Sequence, residues 1–346
     1  MKIALLEVSH WHVPLYLSAF KRPDIEVVAI SDSEGNKGSG IAANFGCRKY
    51  DSVESLLINE QPDFAFAFGR HADMPKIGKL LVERRIPFAL EKPCGTNADQ
   101  VMELRKLAEA AGVYVAVPLI FRLSDTLETL SEINGTLPTD ITHYAIRFIV
   151  GPPSRYINAG ARWMTDPAVA GGGSTINVAT HFIDLFRFLT GKPVSAVSAM
   201  MSSRSHGEKV EDHSIVTMRS EDGTVGVVET GYAFPSALDI QREFTFTIGS
   251  RKAYFQGGND QISYRLRDQL DYGTQTRKVR LDTDLYYPLF VEKVLAEVAA
   301  GAKPFAGLRD AEEMMRIMDA AYASARAGGS LELVQHSSSV NSGVMV

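Results

Sequence analysis

Apolar runs and helical patterns alternate through the first third of the chain. Residues 3–6, 26–30, 63–68 and 87–90 read as short strands without a polar face, and a fifth, 113–117, leads into Pro118 and Arg122. Between them, segments such as 74–84 and 97–111 place apolar residues three and four apart, as a helix covering a sheet does. This order predicts an α/β unit with a doubly wound parallel sheet. From about Ile141 the period drops to two: Tyr144, Ile146, Phe148 and Val150 share one face, and residues 214–218, 225–230 and 243–248 repeat the pattern. A second, α+β unit with a large, mainly antiparallel open sheet follows from that change. A late helix is signalled by Asp310 and Glu313 at capping-box spacing, by Met314, Ile317, Met318 and Ala321 on one face, and by the stop Gly328-Gly329.

These patterns divide the chain into units at 1–122 and 123–334, with a serine-rich tail, 335–346, expected to be mobile. Few helices remain to cover the second sheet, so one of its faces is expected to be buried against another copy in a homodimer or homotetramer. With 346 residues, 45% hydrophobic content and a net charge of -5, the chain has ample core and no basic block for a nucleic-acid backbone. No apolar run reaches membrane-spanning length, and Cys47 and Cys94 offer at most one disulfide, so a cytoplasmic protein is expected.

Candidate chemistry gathers at two distant places. Glu91-Lys92-Pro93 ends the fourth apolar run, where strand ends of a parallel sheet form a ligand crevice. Far downstream, Gly171-Gly172-Gly173-Ser174 opens a helix over 174–189 on which Asn177, His181 and Asp184 are spaced four and three apart and so share a face. The glycines allow close backbone approach. Histidine can take or give a proton at neutral pH. The bland reading of His181 is a core imidazole satisfied by Asp184.

Together the two motifs resemble the Gfo/Idh/MocA family of nicotinamide-dependent oxidoreductases, most of whose members act on sugars, inositols and related polyols. The resemblance implies a dinucleotide-binding first unit and a second unit for substrate binding and oligomerisation. It also implies catalysis by Lys92 and His181, with Asn177 positioning the substrate where the family often has aspartate. Lys92 would stabilise developing alkoxide charge. Arg122 matches a family position just after the fifth strand that would reach substrate or cofactor, and Trp163 resembles a family tryptophan that would pack against a sugar face or against the core. A carbohydrate or polyol is the implied substrate.

The loop after the first strand departs from the family pattern. A dinucleotide fingerprint needs glycines so that the pyrophosphate can approach the helix N-terminus, yet those positions read Glu7, Ser9 and His12. Unless it turns away, Glu7 would repel a diphosphate. Binding of NAD is then expected to rest on Ser9, His10, Trp11, Asp32, Phe68, Gly69, His71, Glu91 and Lys92. Asp32 at the second strand's end favours NAD over NADP, although it also reads as a helix cap. The pair His10 and His12 has no adequate third ligand, so no metal is expected. The lost glycines leave a rival class open, a non-catalytic ligand-binding or regulatory protein on the same fold.

Overall fold

The computed structural model describes residues 1–336 apart from 36, 139, 237–240, 259 and 281. Ile3, Ala4, Leu5 and Leu6 are fully buried, as an all-apolar strand at the centre of a parallel sheet must be. That strand, β1 (Lys2–Leu6), lies among β2 (Glu26–Ser31), β3 (Arg48–Tyr50), β4 (Phe64–Ala67), β5 (Phe88–Leu90) and β6 (Val115–Ala116). All pairings are parallel, in the order β3-β2-β1-β4-β5-β6. The doubly wound sheet is therefore as expected, with one addition. Strand β3 carries Arg48-Lys49-Tyr50 and no apolar pattern, so nothing in its composition announces it. The order reverses between β1 and β4, which opens a crevice outside their carboxyl ends.

The second sheet has nine strands, β7 (Ile141–Val150), β8 (Val194–Ser202), β9 (His213–Ser220), β10 (Val225–Gly231), β11 (Arg242–Ser250), β12 (Ala253–Gly258), β13 (Gln261–Leu266), β14 (Gln275–Lys278) and β15 (Glu332–Leu333). Their order is β14-β13-β12-β11-β7-β10-β9-β8-β15. Only β7 and β10 pair in parallel, so the sheet is mixed but mostly antiparallel. The alternating face of β7 is buried as its period predicts. Tyr144 donates its hydroxyl to the Phe182 carbonyl at 2.8 Å, and Phe148 packs on Phe182, so this face lies under the helix Thr180–Thr190.

Among the described residues no helix covers the opposite face. Met200, Ile215 and Val225 stand exposed there, between ion pairs of Arg147 with Glu229 and Glu243. At the C-terminal end, the helix Leu308–Arg326 packs on the helix Ala98–Ala111 and on β8. It starts one turn earlier than its sequence suggests: Gly307 is the N-cap, and the Asp310 carboxylate accepts its N–H at 3.0 Å. The tail expectation also needs correction at its first residues, because His336 lies 2.7 Å from Glu313 and 2.9 Å from the Val194 carbonyl. Residues 337–346 lie outside the described part. Among the described residues no helix is long and apolar enough to cross a membrane, and both cysteines are unpaired.

Candidate active site

Strand β5 delivers two adjacent charged residues into the protein, Glu91 and Lys92, each only 2% exposed. Successive side chains leave a strand on opposite sides, and here they find different partners. Glu91 accepts the Tyr16 hydroxyl at 2.6 Å and lies 3.1 Å from His12 Nδ1. Lys92 Nζ donates to the Asn177 carbonyl at 2.6 Å and to Asn177 Oδ1 at 2.9 Å. Burial, opposed by Glu91 and reinforced by Arg155, lowers the Lys92 amine to about 8.

Asn177 sits in a widened π turn, Thr175–Ala179, that runs into the helix Thr180–Thr190. Its Nδ2 donates to the hydroxyls of Tyr156 at 2.8 Å and Tyr232 at 3.0 Å, which fixes Oδ1 toward Lys92. His181 follows on the cavity wall, buried, with Nδ1 sealed from solvent and without a partner. Burial, with Lys92 and His12 nearby, holds its imidazole well below the ordinary range. Asp184 does not satisfy it. That carboxylate takes a two-pronged pair from Arg122 at 2.8 and 2.6 Å.

Arg122 corrects an expectation. Its remaining donors go to Asp310 at 2.7 Å and to the Phe305 carbonyl at 3.0 Å, so it braces three segments and does not line the cavity. The glycine-rich entry is corrected too, since its close approach is to the protein itself. A Cβ on Gly172 would fall 1.9 Å from the Tyr322 hydroxyl, and one on Gly173 2.0 Å from the Glu211 carbonyl. The Glu211 carboxylate accepts the amides of Gly173 and Thr175 at 2.9 Å, so an acid caps the turn.

Lys92, Asn177 and His181 share a cavity of about 100 Å³ with Trp11, His12, Arg155 and Tyr287. Behind it runs a polar chain: Tyr287 meets His12 Nε2 at 3.2 Å, and His12 meets Glu91. Burial holds His12 well below its usual range, so its ring is neutral. The loop residues Ser9 and His10 face a second cleft, at the reversal between β1 and β4, together with Phe68, Gly69, Arg70 and Trp163.

In that cleft Glu7 adopts φ 58°, the left-handed turn a glycine would make. Its carboxylate does turn away, accepting from Ser31 Oγ at 3.0 Å and from the Ser33 amide at 3.1 Å. Asp32 turns inward: it accepts Ser9 Oγ at 2.6 Å and the amides of Lys37 and Gly38 at 3.1 and 2.6 Å, at the start of the helix Gly38–Phe45. This is the capping arrangement. His71 Nδ1 donates to the Ala170 carbonyl at 2.7 Å, and burial lowers the imidazole to about 4. Trp163 packs against His10 and His71, with ring centroids 5.6 and 5.0 Å apart, so it lines the cleft and not the Lys92 cavity where a substrate contact was expected. Gly69 answers a packing need, since a Cβ there would lie 2.4 Å from Ile77. Among the described residues no cluster of three His, Cys, Asp or Glu side chains is placed to hold a metal.

No spacing in the sequence marks Arg155, Tyr156 or Tyr287. Only the fold brings the helices Ser154–Asn158 and Tyr286–Ala299 to Lys92.

This geometry has relatives. Residues 12–119 match the model described as "Oxidoreductase family, NAD-binding Rossmann fold", and residues 139–252 match the "GFO/IDH/MocA C-terminal domain". The chain belongs to the Gfo/Idh/MocA family of oxidoreductases. The first match begins at His12, past the altered Glu7 and Ser9. The chain is 23% identical over 343 residues to D-xylose 1-dehydrogenase (NADP(+)) 2 of Haloferax volcanii, covering 96% of this chain and 100% of the relative. It is 21% identical to D-apiose dehydrogenase of Paraburkholderia graminis, covering 89% and 83%. Its fold matches the WlbA dehydrogenase from Bordetella pertussis, solved with NADH and UDP-GlcNAcA, with a TM-score of 0.83, 19% identity and coverage of 97% and 98%.

Proposed function

We propose that this chain oxidises a CH–OH carbon of a carbohydrate or polyol to the carbonyl with NAD, or reduces that carbonyl with NADH, using Lys92 to move the proton. The observation that carries this reading is the Lys92 amine, buried, aimed by both oxygens of Asn177 and poised near 8. A group with that poise exchanges a proton at working pH, which is what an acid–base catalyst must do. Neutral Lys92 accepts the hydroxyl proton at Nζ, and protonated Lys92 returns it in the reverse direction. His181, assigned this role by sequence, is held neutral by burial and serves better to orient the reacting hydroxyl.

The cleft at the β1–β4 reversal is where a dinucleotide would bind. His10 Nε2 is sealed there without a partner, and Glu7 keeps the turn while facing away. Ser9, His10 and Arg70 would hold the diphosphate, Ser33 and Glu34 the adenosine ribose, and Phe68 and Trp163, with His71 packed behind Trp163, would form the wall beside them. When bound, the nicotinamide supplies the hydride acceptor. Glu7, Asp32 and Glu34 together disfavour a 2′-phosphate, so NAD is preferred to NADP; burial, with Asp32 and Glu7 nearby and Arg70 opposing, already raises the Glu34 carboxyl. The two free cysteines support a reducing, cytoplasmic setting. The bare face of the second sheet supports a homodimer or homotetramer.

The glycine-free loop favours one rival, a non-catalytic binding protein. Calorimetry with NAD, NADH, NADP and NADPH separates the two. Heat with NAD or NADH supports the enzyme, and none with any of the four at millimolar concentration overturns it in favour of the rival.

A further inference from the structure

Resting on the oxidoreductase reading, the geometry points to a substrate that bears a carboxylate, held in the Lys92 cavity by Arg155 and Trp11. Two hydrogen-bond donors there have no acceptor: Arg155 Nε and Trp11 Nε1 are both sealed from solvent and unpartnered. They are neighbours, because the Arg155 guanidinium lies 5.4 Å from the Trp11 ring centroid and 4.6 Å from that of Tyr156. Sealed donors left unpaired cost free energy that a ligand acceptor recovers. Two donors side by side call for a group that only accepts, as a carboxylate does.

Charge leads to the same class. Arg155 spends one N–H on the Tyr156 hydroxyl, and no described carboxylate pairs with it. The acids nearby are taken: Asp284 on the cavity wall is bound by Arg242 at 3.2 Å, and Glu91 holds Tyr16 and His12. Arg155 adds positive charge to the surroundings of Lys92 and is among the causes that lower its amine. An anion beside Arg155 relieves that excess. A cavity of about 100 Å³ suits the compact carboxylate end of a polyhydroxy acid and not a bulkier phosphate ester.

The test pairs acids with neutral partners: D-gluconate with D-glucitol, D-glucuronate with D-glucose, L-tartrate with L-threitol, and D-glucose 6-phosphate as the phosphate arm. Binding is measured by calorimetry on the whole chain, with and without NAD, for the native protein, Arg155→Met and Trp11→Phe. The expected result is that at least one acid binds roughly 10- to 100-fold more tightly than its partner, a ratio that falls toward one in Arg155→Met and partly in Trp11→Phe. Turnover with that acid should show a raised KM in Arg155→Met, and the pH midpoint of kcat should move up, because Arg155 helps to hold the Lys92 amine low. Equal binding of acid and neutral members, no binding by any, or tighter binding of the phosphate overturns the inference. Because dinucleotide binding is read separately, NAD heat without acid preference sinks only the carboxylate, whereas acid preference without nucleotide heat sinks only the enzyme.

Discussion

Lys92 Nζ lies 2.9 Å from Asn177 Oδ1, and the same asparagine donates its Nδ2 to Tyr156 and Tyr232. The two tyrosines thus decide which amide atom faces the lysine. A neutral oxygen there accepts a hydrogen bond without adding charge, which leaves burial free to depress the amine to about 8. Asn177→Asp would place a carboxylate against Nζ and favour the charged amine. The pH midpoint of kcat for alcohol oxidation should then rise by about one unit or more. A profile that stays put would mean that Lys92 is not the titrating group.

Alcohol oxidation needs Lys92 neutral, so activity should climb as pH passes about 8, and reduction should fall over the same range. Lys92→Met removes the proton carrier and should cost on the order of 100-fold or more in kcat, with NAD affinity little changed. His181→Ala removes a neutral orienting group and should cost roughly 10-fold, leaving the pH midpoint in place. If the midpoint instead disappears with His181, the proton belongs to the histidine.

Much of this architecture was legible because burial on both faces writes itself as uninterrupted apolar strands, and half-burial as alternation, in residues 3–6 and 141–150. Lys92 and Asn177 could be picked out because a cation ending an apolar strand and a polar residue after three glycines have no packing reason to be there. Arg122 misled for a physical reason: an arginine after a strand looks the same whether it meets substrate or, as here, Asp184 and Asp310. Arg155 lies 63 residues beyond Lys92 in the short helix Ser154–Asn158, and only the folding of the chain puts it on the same cavity. The sequence also showed the missing glycines without showing that Glu7 keeps their backbone turn.

The exposed face of the second sheet carries Met200 and Ile215 directly opposite each other on β8 and β9, 69% and 41% exposed. An apolar pair at that place, with Val225 nearby, is expected to be covered in an assembly. Ile215→Lys combined with Met200→Lys should convert the oligomer to a folded monomer. Light scattering checks this, and a native protein that is monomeric at micromolar concentration contradicts it.

Four histidines, His10, His12, His71 and His181, are buried and held below their usual range chiefly by burial. Each folded value lies below the unfolded one, so the unfolded chain binds more protons between them. Stability from these groups is complete above about pH 6.5 and is lost as pH falls toward their folded values. For His71, at about 4, the loss amounts to about 3 kcal/mol. Urea unfolding at a series of pH values should show stability falling steeply from pH 6.5 to 4.5, with more than one proton taken up on unfolding. A flat response would mean that these rings ionise without strain in the folded protein.

Glu7 poses the sharpest question about the cofactor. Its φ of 58° is a conformation that glycine adopts freely and other residues adopt at a cost of about 1 kcal/mol. The cost is offset by bonds to Ser31 and Ser33, which also keep a negative charge beside the cleft. Glu7→Gly should retain the turn, remove the charge and admit a diphosphate more closely. NAD affinity should rise roughly 10-fold, and NADP should gain more, because a carboxylate near the cleft is gone. Calorimetry on the native protein and the variant, with melting temperatures taken in parallel, measures both. Unchanged or weaker binding by a variant that melts no lower than the native protein would show that the charge at Glu7 does not limit the dinucleotide.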